Sequence, residues 1–99
     1  MDSNYKLFWT KEALQNLDET ILYLQSRWTD REVDLFKKKL SHLLSLIELN
    51  PKLFPTSTLL SEVRKSVLTK QTSIFYKVDN QKIYILYLFN TYQNTTKLK

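Results

Sequence analysis

The residues of this sequence that could do chemistry are cations and tyrosines in its second half. Arg64 and Lys65 are adjacent in a segment of alternating polarity, and Lys70 follows. Cations beside a tyrosine are the parts of a metal-independent ribonuclease, because one group removes the 2′-hydroxyl proton while cations stabilise charge on phosphorus. Neighbouring strand residues point to opposite faces, so only one of Arg64 and Lys65 can face an open sheet surface. The alternative is an exposed edge strand protected by charges.

The composition excludes several other kinds of site. The chain has no cysteine and one histidine, His42, so thiolate chemistry and catalytic triads are excluded and a structural zinc site is not expected. Glycine is also absent, which excludes glycine-rich phosphate loops and nucleophile elbows. Positions that need a positive φ must then be filled by Asn or Asp. His42 and the run Lys37–Lys39 fit the solvent-exposed side of a helix, and no metal or cofactor is expected.

The positive charge of the chain is confined to its C-terminal part. Residues 1–59 carry eight bases and eight acids, whereas residues 60–99 carry seven bases and two acids, which accounts for the whole net charge of +5. This asymmetry indicates an anionic partner for the C-terminal part, either a nucleic acid or an acidic protein segment. The alternative is a basic protein whose lysines are only solvated.

The first half of the chain has the periodicity of one strand and two helices. Alternation over residues 5–9 predicts a strand, and Thr10 is a candidate N-cap for a helix from residue 11 to about residue 27. Thr29–Glu32 matches a capping box at the start of a second helix, which Asn50-Pro51 ends. The turn between the helices is short, so they should pack as an antiparallel hairpin.

The rest of the chain changes to a period of two. After a loop over residues 51–60, the segments 62–69, 73–78 and 82–89 predict three strands, the last of them apolar enough to be central. The order β-α-α-β-β-β predicts an α+β fold with two layers, in which an antiparallel sheet is covered on one face by the helix hairpin. We expect a single domain over residues 1–99. The longest apolar run is far shorter than the roughly 20 residues of a membrane span, so a cytoplasmic protein is expected.

The aromatic residues of the last two strands are too numerous for one face of such a sheet. Phe75, Tyr76, Tyr84 and Tyr87 all lie in these strands. Because the helices cover only one face, some of the four rings must line the open face. We expect a basic and aromatic recognition surface there.

A set of short motifs, spread in order over most of the chain, adds to this picture. They are Trp9-Thr10-Lys11-Glu12-Ala13, Leu17-Asp18, Tyr23-Leu24, Trp28-Thr29 before Phe36, Asn50-Pro51, Val63-Arg64-Lys65, Ile74–Val78, and Ile83–Asn90 followed by Gln93-Asn94. With these motifs and the predicted element order, the chain resembles the ParE/RelE superfamily of toxins from type II toxin–antitoxin systems. Within the superfamily it is most similar to the ParE-like plasmid-stabilisation branch.

The resemblance implies a small growth-inhibiting toxin that is neutralised by a cognate antitoxin and reaches DNA only through that antitoxin. Antitoxins of this kind wrap the toxin with an amphipathic helix or an added strand. The antitoxin contacts expected from this resemblance are Trp28, Phe75, Tyr84 and Tyr87. The expected target contacts are Arg64, Lys65 and Lys70.

Two toxic mechanisms are compatible with this resemblance. ParE-like members inhibit DNA gyrase, with no catalytic residue established in the toxin, and we favour this mechanism. RelE-like members cleave mRNA on the ribosome with basic residues and a tyrosine or similar base. Here that alternative would use residues from the set Arg64, Lys65, Lys70, Tyr76 and Tyr92.

The C-terminal segment departs from the pattern of the family. Such chains commonly carry an Asp-x-Arg-Gln-Asn-Pro stretch after the last strand. In this sequence Tyr92 stands where arginine is usual, and Thr95 stands where proline is usual. The loss of that cation weakens the nuclease alternative, and it adds a third possibility, a degenerate toxin that only binds its antitoxin.

Overall fold

The elements of the structure follow the predicted order. The computed structural model describes residues 5–56 and 62–90. Its elements are β1 (Lys6–Trp9), α1 (Lys11–Arg27), α2 (Asp30–Leu49), β2 (Val63–Val67), β3 (Thr72–Asp79) and β4 (Lys82–Asn90). Within these two ranges no helix has the length and apolar character needed to cross a membrane.

Both helices begin at the threonines that the sequence indicated. Thr10 Oγ1 accepts a hydrogen bond from the Ala13 N–H at 3.2 Å. Thr29 Oγ1 accepts from the Glu32 N–H at 3.4 Å, and the Glu32 carboxylate accepts from the Thr29 N–H at 3.3 Å. The capping box is therefore complete. The second helix ends at its C-cap, Asn50, because the residue before a proline disfavours helical backbone.

The strands form one mixed sheet in the order β1-β4-β3-β2. The last three strands are the predicted antiparallel meander, and β4 is central, as its apolar composition indicated. The sequence left the position of β1 open, and the structure pairs it in parallel with β4, with Lys6 opposite Lys82 and Trp9 opposite Ile85. The sheet as a whole is thus mixed, not purely antiparallel.

The core lies between one face of the sheet and the two helices. Its buried residues are Ala13, Leu40, Leu43, Ile47, Ile74, Tyr76, Ile83, Ile85 and Leu88. A second buried cluster, of Leu24, Val33 and Phe36, joins the helices near the turn between them. Each large apolar side chain buried in this way contributes about 1.5–3 kcal/mol to folding. The opposite face of the sheet has no helix packed on it among the described elements.

An irregularity in the pairing of β3 with β4 sets which β4 residues point away from the helices. Phe75 lies opposite Tyr87, whereas Tyr76 lies opposite Ile85, so Leu86 is an extra residue in β4. Such a bulge shifts the alternation of side chains along the strand. It places Tyr87 on the same face as Phe75.

The N-cap residue of α1 and a polar side chain within α1 form hydrogen bonds with the backbone of β4 around this bulge. Thr10 Oγ1 donates to the carbonyl of Ile85 at 2.8 Å and lies 3.0 Å from that of Leu86. Asn16 Oδ1 accepts from the Leu88 N–H at 3.1 Å. Since unpaired buried backbone groups are unfavourable, these bonds fix α1 against the bulged part of β4.

Two residues that are not glycine have a positive φ. Asn80, with φ of 56°, lies in the turn between β3 and β4 and confirms the expectation that asparagine would fill such positions. Glu62, with φ of 67°, contradicts that expectation, which was restricted to Asn and Asp. It immediately precedes β2, in which Arg64 pairs with Thr56.

Candidate functional site

Arg64 and Lys65 lie on opposite faces of the sheet, as their adjacency predicted. Arg64 pairs with Tyr76, a core residue on the helix side, and Lys65 pairs with Phe75 on the open side. Directly paired residues of antiparallel strands share a face. Lys65 is therefore the cation of this pair that belongs to the open face.

The guanidinium of Arg64 is engaged with the loop that follows α2. Its Nη1 donates to the Phe54 carbonyl at 2.6 Å and to the Lys52 carbonyl at 3.5 Å. Beside it is a polar cavity of about 450 Å³ that Thr56 and Glu62 also line. Arg64 thus has a structural role at this loop, which its expected role as a target contact did not include.

Replacing Arg64 with alanine is expected to lower the free energy of unfolding by about 2 kcal/mol, because the Phe54 carbonyl loses a charged donor. Denaturant unfolding followed by circular dichroism measures this value. Lys65→Ala, on the same strand but exposed, is the matched control and should change stability by less than about 1 kcal/mol. Equal effects of the two substitutions would show that the Arg64 bond contributes nothing to the fold.

Tyr76 is buried in the core, and its hydroxyl donates to the Pro51 carbonyl at 2.6 Å. Burial raises the pKa of Tyr76 to about 12, and the nearby charge of Arg64 opposes this only in part. A buried hydroxyl that keeps its proton at neutral pH, and already donates it in a hydrogen bond, is unsuited to remove a proton from RNA. This arrangement does not support the expectation that Tyr76 serves as a base in the nuclease alternative. Its neighbour Phe75 takes the position on the open face.

The open face carries two stacked pairs of aromatic rings. The rings of Phe75 and Tyr87 stack with centroids 4.7 Å apart, and those of Phe8 and Tyr84 stack at 5.7 Å. Lys65 Nζ lies 5.9 Å from the centre of the Phe75 ring, within reach of a cation–π interaction. We call these five residues the aromatic–lysine face. It confirms that some of the predicted aromatic residues line the open side.

Phe8 is the member of this face that the sequence analysis did not identify. Its side chain is 41% exposed, and it lies opposite Tyr84 in the β1–β4 pair. Alternation along β1 predicts that Phe8 points to the opposite face from Leu7 and Trp9. Only the parallel pairing with β4 shows that the tyrosine it contacts is Tyr84. The β1–β4 and β3–β4 registers place three further lysines, Lys6, Lys77 and Lys82, on this side of the sheet, with Asp79 opposite Lys82.

Trp28, the fourth expected antitoxin contact, lies on a different surface. It follows α1 in the turn between the helices and is 44% exposed. It lines a cavity of about 320 Å³ where the helix turn meets the turn between β2 and β3. We call this cavity the Trp28 groove, and its lining residues are Leu24, Trp28, Glu32, Leu35, Phe36, Lys39, Thr69 and Gln71.

The expected target cations are not brought together. Arg64 is on the helix side of the sheet, Lys65 is on the open side, and Lys70 is exposed in the turn between β2 and β3. Tyr92 lies outside the described residues. His42 and Lys37–Lys39 are exposed on α2, as predicted. In the described part of the chain no three histidine or acidic side chains lie together as metal ligands.

Comparison with known proteins agrees with this fold. The sequence matches the family model of the ParE toxin of the type II toxin–antitoxin system, parDE, over residues 7–94. No curated protein matches the chain. The structure is similar to a solved structure of the chromosomal ParDE TA system from P. aeruginosa. The two share 16% sequence identity and superpose with a TM-score of 0.74, over 87% of this chain and 95% of that chain.

Two further solved structures share the fold at low identity. One is the E. coli DinJ-YafQ toxin–antitoxin complex, at 12% identity and a TM-score of 0.63, over 90% of this chain and 94% of that one. The other is the YoeB dimer from Staphylococcus aureus, at 19% identity and a TM-score of 0.59, over 88% and 97%. Since the family model matches nearly the whole chain, the protein belongs to the family of ParE toxins from type II toxin–antitoxin systems.

Proposed function

We propose that this toxin acts in the cytoplasm by binding proteins: an essential target when it is free, with DNA gyrase as the candidate, and a cognate antitoxin when it is neutralised. The observation that carries the proposal is the character of its surfaces. The aromatic–lysine face presents stacked rings among lysines, and the Trp28 groove presents a half-exposed tryptophan in an apolar cavity. Aromatic anchors with a polar surround are typical of protein-recognition sites.

The charge around the aromatic–lysine face indicates an acidic partner segment. Lys65 lies over the Phe75 ring, and Lys6, Lys77 and Lys82 are on the same side of the sheet. Carboxylates that approach this face gain attraction over about 8–10 Å at physiological salt. The similar DinJ-YafQ structure and a YoeB-YefM structure from S. aureus are complexes, which supports neutralisation by a bound antitoxin.

Cleavage of mRNA on the ribosome is the second candidate, and the geometry supports it less. Its tyrosine base at position 76 is buried, and its arginine at position 64 is bonded to loop carbonyls. The two other cations, Lys65 and Lys70, lie on different parts of the surface. Cleavage would then depend on Tyr92 with Lys65 or Lys70. A degenerate toxin that binds only its antitoxin is the third candidate.

The three candidates differ in what happens when the chain is expressed alone in a bacterium. We expect growth arrest with intact mRNA and altered plasmid supercoiling, and inhibition of purified gyrase by the purified chain. Arrest with rapid mRNA cleavage would favour the nuclease. Normal growth at confirmed expression of folded protein would favour the degenerate toxin, provided that the chain still binds the protein encoded beside it.

A pair of charge reversals tests whether the aromatic–lysine face contacts the target. Lys65→Glu should reduce the growth arrest at equal expression, because it reverses the charge over the Phe75 ring. Lys38→Glu, on the exposed side of α2, is the matched control and should arrest growth like the original chain. Equal arrest by both variants would remove Lys65 from the target interface.

A further inference from the structure

The Trp28 groove holds large apolar side chains that the described part of the chain leaves exposed. Trp28 is 44% exposed and Leu35 is 49% exposed, whereas Phe36 and Leu24 beside them are buried and belong to the second core cluster. The groove is therefore an apolar surface that continues directly into the core. Exposed apolar surface with charged side chains around it is typical of a site that binds another protein.

The exposed charges along α2 are separated by sign. Residues 30–34 hold three acids and one arginine, whereas Lys37–Lys39 are three consecutive lysines. All seven of these charged side chains are exposed. A second α2 that lies antiparallel to the first would place the acidic part of each helix against the basic part of the other. The helix is thus complementary in charge to a second copy of itself.

Two of these charges line the groove at equal distances from its centre. They are Glu32 and Lys39, with Leu35 and Phe36 between them. At a rise of about 1.5 Å per residue, each lies about 5 Å along the helix from the midpoint between Leu35 and Phe36. A twofold axis through this midpoint brings Glu32 of one copy opposite Lys39 of the other, and the pair forms twice. Both capping bonds from Thr29 end on Oε1 of Glu32, so Oε2 can accept from the lysine of the other copy.

We propose that two copies of this chain associate through their Trp28 grooves, with the two α2 helices antiparallel about a twofold axis. Trp28 and Leu35 of each copy cover the groove of the other, and two Glu32–Lys39 pairs flank the apolar centre. An unrelated partner would also bury the tryptophan, but the symmetric spacing of the two charges is a property that fits a second copy. This inference does not depend on the proposed function.

The proposal has a consequence for neutralisation. Trp28 is also an expected antitoxin contact, and one groove cannot hold a second copy and an antitoxin at the same time. Association of free toxin therefore competes with the antitoxin wherever the antitoxin uses this groove.

Sedimentation velocity of the purified full chain tests the association. The chain should change from monomer to dimer as its concentration rises from about 1 µM to about 500 µM, the range of a small, transient interface. Lys39→Glu should weaken the dimer at least tenfold, because it places two carboxylates opposite each other at both contacts. Lys38→Glu is the matched control, since Lys38 is exposed on the same helix but does not line the groove. It should dimerise like the original chain.

A mixture of two variants tests the twofold geometry. Glu32→Lys alone should also fail to dimerise, because it opposes lysine with lysine. Mixed in equal amounts, Glu32→Lys and Lys39→Glu should form a heterodimer about as stable as the original dimer, since every contact again joins opposite charges. Circular dichroism checks that Glu32→Lys folds with Thr29 as its remaining cap. The comparison of Lys39→Glu with Lys38→Glu does not depend on that variant.

The outcomes separate this inference from the proposed function. A chain that stays monomeric at every concentration overturns the dimer, and loss of antitoxin affinity in Trp28→Ala would then assign the groove to the antitoxin alone. A dimer that Lys39→Glu leaves unchanged places the contact elsewhere and also overturns the proposal. A mixture of folded variants that does not dimerise overturns the antiparallel arrangement. None of these results changes the tests of growth arrest or of gyrase inhibition.

Discussion

Replacing Trp28 with alanine is expected to weaken antitoxin binding about 30- to 100-fold, the effect of removing a central aromatic anchor. The indole is 44% exposed in the free toxin and borders an apolar cavity of about 320 Å³. The fold should survive the change, because the Trp28 backbone N–H, which caps α1 by donating to the Leu24 carbonyl at 2.7 Å, is retained. Isothermal titration calorimetry of the purified proteins gives the dissociation constants.

Leu22→Ala is the control for this substitution. Leu22 is 66% exposed on the same helix and does not line the Trp28 groove, so its loss should leave affinity unchanged. Denaturant unfolding of both variants checks that neither effect comes from lost stability. Unchanged affinity of Trp28→Ala would mean that the antitoxin does not use this groove.

Tyr87→Ala reports on the other surface. Because Tyr87 stacks on Phe75 on the open face and Trp28 lies at the helix turn, the two sites share no contact. Effects of distant substitutions usually add within about 0.5 kcal/mol. If the losses of binding free energy from Trp28→Ala and Tyr87→Ala add in the protein that carries both substitutions, one antitoxin contacts both surfaces, as the two sets of expected contacts require.

Local signals in the sequence predicted the elements well because each depends on a few neighbouring residues. Thr29 and Glu32 are three residues apart, and their capping box needs nothing from the rest of the chain. Likewise, Pro51 ends α2 through its effect on the preceding residue alone. The continuous apolar run of β4 predicted a central strand because such a run suits a strand that is covered on both faces, or on one face plus a partner.

The composition of the site could be predicted only in part. Which face a side chain lies on, and which residues it contacts, depend on pairings between strands that are far apart in the sequence. Alternation shows that Phe75 and Tyr76 point to opposite faces but does not show which of them the helices cover. The structure buries Tyr76 on the helix side and directs Phe75 to the opposite face, where it stacks on Tyr87 and is only 8% exposed. Phe8 joins the face through a parallel pairing with β4, a strand more than seventy residues away in sequence.

The free energy of unfolding of the original chain is expected to fall by about 3 kcal/mol between pH 10 and pH 12 because of Tyr76, and Tyr76→Phe should abolish this decrease. Burial raises the pKa of Tyr76 from its usual 10.0 to about 12 in the folded chain. Below pH 10 both the folded and the unfolded states keep the proton. Above pH 10 the unfolded state loses it first, so the free energy of unfolding of the original chain falls until the pH passes 12. The phenylalanine variant lacks this decrease.

Unfolding curves of both proteins at pH 9, 10.5 and 12 measure the difference, and the other titrating groups are common to both. At pH 9 the variant should be less stable by about 1–2 kcal/mol, because the buried Pro51 carbonyl loses its donor. Near pH 12 the order should reverse. A difference that stays constant with pH would mean that the hydroxyl titrates as an exposed tyrosine does, and Tyr76 would again be a candidate base. If the difference does reverse, growth arrest by the folded Tyr76→Phe protein should match that of the original chain, because a hydroxyl that keeps its proton until pH 12 accepts none from RNA at neutral pH.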